Sequence, residues 1–146
     1  MIAKRENLAF ETNSPDESVS RGKELAAVLK QGDVVSLTGV LGAGKTCLIS
    51  GIAIGLGIGD NEVKSPSFTL INEYYGKTPL FHFDLYRMKD VSELHNIGWD
   101  DYLMREGIVV VEWGERAEEY LPEKRIDIEI KIVAESVRGI KIFFKD

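Results

Sequence analysis

Several things are scarce in this chain. It has one cysteine in 146 residues, so no internal disulfide can form, which points away from the oxidising compartments where small domains rely on such bridges. No apolar run approaches the ~20 residues that a bilayer crossing needs. The opening Met1-Ile2-Ala3-Lys4-Arg5-Glu6-Asn7 lacks the apolar stretch of a signal peptide. A cytoplasmic protein is expected. Positive charge is also short: 18 Lys and Arg stand against 24 Asp and Glu, a net charge of −6. That argues against a broad basic surface tracking nucleic acid, so any link to RNA is expected to pass through a partner. There is no internal repeat, low-complexity tract or linker. The chain is long enough for one core and too short for two, so a single domain over residues 1–146 is expected.

What is present is Gly39-Val40-Leu41-Gly42-Ala43-Gly44-Lys45-Thr46, a complete match to G-x-x-x-x-G-K-[ST]. Ahead of it, Val34-Val35-Ser36-Leu37-Thr38 reads as a β-branched strand; after it, Cys47-Leu48-Ile49-Ser50 opens a helical pattern. Glycines let backbone N–H groups turn inward around an anion, and the helix N-terminus adds positive dipole. Lys45 is expected to reach the β- and γ-phosphates and the Thr46 hydroxyl to hold Mg²⁺. Cys47, one residue on, is read as a small hydrophobe packed under the loop, the alternative being a thiol activated by the helix N-terminus.

The rest of the chain supplies an α/β frame. Ser14-Pro15-Asp16-Glu17 combines an N-cap serine, a proline at N1 and a glutamate at N3, which starts a helix expected to reach Lys30, with Gly32 as its stop. Residues 68–75 and 80–86 read as strands joined across Gly76-Lys77-Thr78-Pro79. Residues 90–104 are helical in pattern, broken at Gly98. Residues 107–112 form a continuous apolar run ending in a carboxylate, as a fully buried parallel strand reads. A short helix over 115–120 stops at Leu121-Pro122. Residues 126–132 and 140–144 alternate as an antiparallel pair. The expected fold is a P-loop NTPase-like α/β domain, a parallel core sheet with added antiparallel strands and flanking helices.

A phosphate-binding loop does not say what becomes of the phosphates. Hydrolysis or transfer needs a further carboxylate for the metal and a group that positions the nucleophile. Glu112 ends the apolar run at the edge of a parallel sheet where ligands bind, a Walker-B-like placement. Asp84 lies in His82-Phe83-Asp84-Leu85-Tyr86-Arg87, where strand alternation puts His82, Asp84 and Tyr86 on one face and Phe83 and Leu85 on the other. Asp84 is read either as a metal-shell or water-orienting group, or as part of a solvated strand edge. His82 alone is read as a hydrogen-bonded structural residue, His95 is assigned nothing, and Trp113 either packs near the phosphates or, by default, fills the core. Ser65-Pro66-Ser67-Phe68 lies where P-loop proteins often carry a switch that senses the γ-phosphate. No [NT]-K-x-D element is present to read guanine, so ATP is the expected nucleotide. Arg87, Arg105, Arg116, Arg125 and Arg138 are scattered, which leaves a small-molecule kinase as an undersupplied alternative. A nucleotide-gated binding module is the third class.

Together the loop, Val63-Lys64-Ser65-Pro66-Ser67-Phe68, His82-Phe83-Asp84-Leu85-Tyr86-Arg87, Val111-Glu112-Trp113 and Leu121-Pro122, in this order, resemble the bacterial TsaE family, formerly YjeE. The resemblance spans nearly the whole chain. It implies a small P-loop ATPase required for threonylcarbamoyladenosine at position 37 of tRNAs that read codons starting with A. It further implies action with the transferase subunits TsaD and TsaB, on threonylcarbamoyl-adenylate from a TsaC-type enzyme, with tRNA met only through the complex. Hydrolysis would be weak alone, stronger on TsaB–TsaD, and would reset the complex between turnovers. By the same resemblance Thr46 and Glu112 are Mg²⁺ ligands and Lys45 and Asp84 serve catalysis. Gly39, Leu41, Gly42, Ala43 and Gly44 belong to the nucleotide loop, Glu17 and Arg138 contact nucleotide, and Ser65 and Ser67 form the switch. Cys47, Ser67 and Met88 depart from the usual Thr, Thr and Leu, and none of these removes a phosphate or metal group.

Overall fold

The computed structural model describes residues 2–40, 42–59, 63 and 70–146. Among them the strands β1 (Leu8–Thr12), β2 (Val34–Thr38), β3 (Ile71–Tyr74), β4 (Leu80–Asp84), β5 (Ile108–Glu112), β6 (Arg125–Ile132) and β7 (Arg138–Lys145) form one sheet in the order β1-β7-β6-β2-β5-β4-β3. The centre is parallel: β6 and β5 flank β2, and β4 lies beyond β5. Antiparallel strands complete both sides, β7 and β1 on one and β3 on the other. Every residue of β5 is buried, as expected for a parallel strand covered on both faces.

The helices are α1 (Pro15–Ala26), α2 (Lys45–Gly55), α3 (Ser92–Asn96) and α4 (Trp99–Met104), with a 3₁₀ segment over Gly114–Tyr120. Helix α1 starts as the sequence predicts: the Ser14 Oγ accepts from the Glu17 N–H at 3.1 Å, and the Glu17 carboxylate accepts from the Asn13 N–H. Its end differs. The α-helix stops at Ala26 rather than Lys30, and Val28 and Leu29 donate to the carbonyls of Leu25 and Ala26 in tightened i→i−3 turns. Gly98, at φ +82°, breaks α3 from α4 where the pattern predicted. Strand β1 was not anticipated; its five residues pair with β7 from Leu8↔Ile142 to Thr12↔Arg138. The second predicted strand ends at Asp84, short of Tyr86, because the Asp84 Oδ1 accepts from the Tyr86 N–H at 3.1 Å and turns the chain. Of the first, Ile71–Tyr74 is strand, while Phe68 and Thr69 lie outside the described residues.

Two apolar layers sandwich the sheet. One joins Val35, Leu37, Val110, Ile126 and Ile128 to Leu25 of α1 and Leu48, Ile49 and Ile52 of α2. The other joins Val109, Val111, Phe81 and Phe83 to Leu94 and Trp99 under α3 and α4. Helices α1 and α2 touch backbone to backbone. A Cβ at Gly51 would stand 2.0 Å from the Val19 carbonyl oxygen, and one at Gly22 would stand 2.4 Å from that of Leu48. This approach lays the start of α1 beside the loop that opens α2.

Candidate functional site

Strands β2, β4 and β5 run parallel, so their C-terminal ends open on one side of the sheet. The register aligns Glu112 with Leu37 on one side and Asp84 on the other. The loop leaving β2 therefore rises beside both carboxylates, at the edge where parallel sheets bind ligands. Gly42 and Gly44 take φ +81° and +96°, left-handed backbone that side chains disfavour, and this folds the loop into the start of α2. A cleft of about 260 Å³ results, lined by Gly42, Ala43, Gly44, Lys45, Thr46, Cys47, Asp84, Tyr86, Glu112 and Trp113. A second hollow of about 130 Å³ adjoins it at Gly44 and Cys47 and is walled by Ser14, Pro15, Ser18, Glu135, Ser136 and Arg138. A larger one, about 470 Å³, lies over β1, β6 and β7 and contains none of the phosphate-loop residues.

Within the cleft the charges are arranged closely. Lys45 is buried at 6% exposure; its Nζ donates to the Gly39 carbonyl and rests 4.0 Å from the centre of the Trp113 ring. Burial pushes the Lys45 ammonium below its ordinary pKa, against the pull of the Glu112, Asp84 and Glu115 carboxylates. Burial likewise pushes the Asp84 carboxyl up, opposed by its bond from the Tyr86 N–H and reinforced by the charge of Glu112. Thr46 is exposed to the cleft. Glu112 is 3% exposed, and its Oε2 lies 2.6 Å from His82 Nε2. The solvated-edge reading of the Asp84 segment does not hold. His82 is fully buried and Asp84 half-buried in a strand with neighbours on both sides.

Trp113 is no ordinary core residue. It carries the one positive φ (+61°) outside glycine among the described residues, a conformation that costs about 1–2 kcal/mol. Three contacts offset it: a backbone bond to the Leu37 carbonyl at 3.0 Å, the Lys45 ammonium over its ring, and the Tyr86 ring at 5.1 Å. Nothing in the local sequence signals this turn. Arg138 grips the loop from outside, its Nε donating to the Ala43 carbonyl at 3.1 Å and Nη2 to that of Gly42 at 3.3 Å. Cys47 is half-buried between the two hollows rather than packed under the loop. Glu17 is exposed, engaged in the helix cap, and lines neither hollow. Leu41, Ser65 and Ser67 lie outside the described residues.

Hard oxygen donors with few protein ligands suit Mg²⁺, which binds through one or two side chains plus phosphate and water rather than in an all-protein cage. The Thr46 hydroxyl and the Glu112 carboxylate, lining one cleft, are such a set. Among the described residues no group of three or more His, Cys, Asp or Glu forms a cage.

The family model described as "Threonylcarbamoyl adenosine biosynthesis protein TsaE" matches residues 12–140. The chain belongs to the TsaE family. A TsaE relative from Bacillus subtilis, named as a tRNA threonylcarbamoyladenosine biosynthesis protein, is 46% identical over 134 residues, covering 91% of this chain and 83% of the relative. The Treponema pallidum TsaE is 37% identical over 131 residues, 90% of this chain and 96% of its own. Among solved structures, Bacillus subtilis YdiB superposes with a TM-score of 0.79 at 37% identity, covering 97% of this chain and 87% of that one. The expected fold class agrees with this TsaE architecture. No helix among the described residues is long and apolar enough to cross a membrane.

Proposed function

We propose that this TsaE-family chain is a cytoplasmic, single-domain Mg²⁺-dependent ATPase that serves threonylcarbamoylation of tRNA. In this reading it acts with TsaD and TsaB homologues, meets tRNA only through them, and hydrolyses ATP to reset the complex between turnovers. The observation that carries the reading is the cleft shared by Lys45, Thr46, Asp84 and Glu112 at the C-terminal ends of three parallel strands. Lys45 leaves the Gly39 carbonyl and the Trp113 ring to hold the β- and γ-phosphates, against which the start of α2 at Gly44, Lys45 and Thr46 presents backbone N–H groups. Thr46 and Glu112 hold Mg²⁺. Bound there, the ion would neutralise charge developing on the phosphoryl oxygens. Asp84 orients the attacking water, and its displaced pKa fits a group held in a partly dry site. Arg138 stiffens the loop from behind.

The arginines bear on the kinase alternative. Arg105 pairs with Glu73, Arg116 donates to the carbonyls of Tyr86 and Met88, and Arg125 pairs with Glu118 and Asp127. Each is engaged elsewhere, which does not suit a lid over a transferring phosphoryl group.

The test is ATP hydrolysis by the purified chain with and without TsaB–TsaD, beside Thr46→Ala and Glu112→Ala. Stimulation by the partners, lost by at least about 100-fold in both variants, is expected. Activity that ignores the partners or survives both substitutions would overturn the proposal.

A further inference from the structure

His82 sits in the middle of β4 with no exposed surface. Its Nε2 makes one bond, 2.6 Å to the Glu112 Oε2, and Nδ1, equally buried, meets no hydrogen-bond partner among the described residues. Burying an imidazole with one nitrogen unanswered carries a desolvation cost that an aliphatic residue would avoid. Leu80, two residues back on the same strand face, is aliphatic and lies in that core. The choice of histidine is therefore explained by its single bond. Register makes the need plain. Asp84, also a carboxylate, stands opposite Glu112 on β4, and the donor that reaches Glu112 comes from the strand's next same-face position, His82.

We infer that His82 is the positioning residue for the Glu112 carboxylate: its Nε2–H holds Oε2, fixes the Glu112 rotamer, and leaves the other oxygen for a divalent cation in the cleft. The inference rests on the reading of Glu112 as a Mg²⁺ ligand. A metal-holding Glu112 is a carboxylate, so Nε2 must carry the hydrogen. A hydrogen-bonded partner behind a metal ligand typically changes metal affinity by about 10–100-fold when removed.

The experiment compares wild type, His82→Leu and His82→Gln by calorimetric titration with a non-hydrolysable ATP analogue, first in EDTA and then at increasing Mg²⁺. His82→Leu is expected to bind the analogue like wild type in EDTA but to require about 10–100-fold more Mg²⁺ for the same tightening. His82→Gln, whose amide can donate from a similar position, is expected to recover most of that loss. A folded His82→Leu with the wild-type Mg²⁺ requirement overturns the inference. If wild type itself shows no Mg²⁺ dependence, the reading of Glu112 as a ligand fails instead. Nitrogen–proton NMR of the wild-type imidazole decides independently of how the variants fold. With Mg²⁺ and analogue present, an Nε2 that carries hydrogen is expected, and an Nε2 without it overturns the inference.

Discussion

The two faces of the sheet are stabilised by different means. Under α1 and α2 the side chains are mostly aliphatic, and the helices approach until a Cβ at Gly51 or Gly22 would strike backbone. Under α3 and α4 the space is filled by rings: Phe83 meets Trp99 at 4.9 Å and Tyr102 at 5.4 Å, both edge-on, and Phe81 meets Tyr102 at 5.2 Å. His82, Asp84 and Glu112 all belong to the first face and none to the second, since they alternate with Phe81, Phe83 and Val111. The chemistry therefore sits on the face covered by the helix pair whose backbones touch. Bulky rings support the sheet from behind. Trp113 bridges the two, packing against the ring layer while presenting its face to Lys45.

That contrast can be broken most severely at Gly51. Gly51→Val is expected to cost about 5 kcal/mol or more, comparable with the whole stability of a domain this size, because the obstacle is backbone. A urea midpoint near wild type would show that the helix pair has room after all. On the other face, Trp99→Ala removes a fully buried ring and the bond from its Nε1 to the Tyr120 carbonyl at 3.1 Å. A loss of about 3–5 kcal/mol is expected in urea unfolding, while nucleotide affinity of the folded protein stays close to wild type. A large fall in affinity would mean that the ring layer shapes the cleft directly.

Smaller effects sharpen the comparison. Ser14→Ala deletes the cap that starts α1 and is expected to lower stability by about 1 kcal/mol, read from the thermal midpoint. Glu73 tests the edge of the ring layer. Hydrogen bonds from Tyr75 and Tyr102, with Arg105 nearby, hold its carboxyl below the ordinary value of 4.5. A depressed carboxyl contributes stability above that ordinary value and loses it as pH falls through the folded one. The thermal midpoints of wild type and Glu73→Gln should accordingly differ at neutral pH and converge below about pH 4.5. A gap that does not change with pH would show that the hydroxyl bonds matter without the charge.

Much of the parallel core could be read from local pattern. Val34–Thr38, the glycine-lysine-threonine loop and the apolar Ile108–Glu112 each carry their signal within a few consecutive residues. Strand β1 was missed although Leu8-Ala9-Phe10-Glu11-Thr12 alternates, because a five-residue edge strand declares itself only through its partner, β7. The end of α1 was overrun because Val28 and Leu29 continue the apolar spacing while making only i→i−3 turns. That His82 is hydrogen-bonded was legible and is borne out, but a histidine on a strand does not reveal that its partner is Glu112. The signal available was its sharing a face with Asp84.

By itself the sequence determined that a phosphate-binding loop lies between a buried strand and a helix, and that a carboxylate ends a second buried strand. Those features depend on neighbours in the chain, where glycine conformations, helix start and apolar run are local choices. Only the tertiary structure decided that Glu112 meets His82, that Arg138 grips Gly42 and Ala43, and that Trp113 covers Lys45. Each of those contacts requires a particular register between strands or a particular crossing of helices, and such distances between residues far apart in the chain are set only when the whole sheet closes around its two layers.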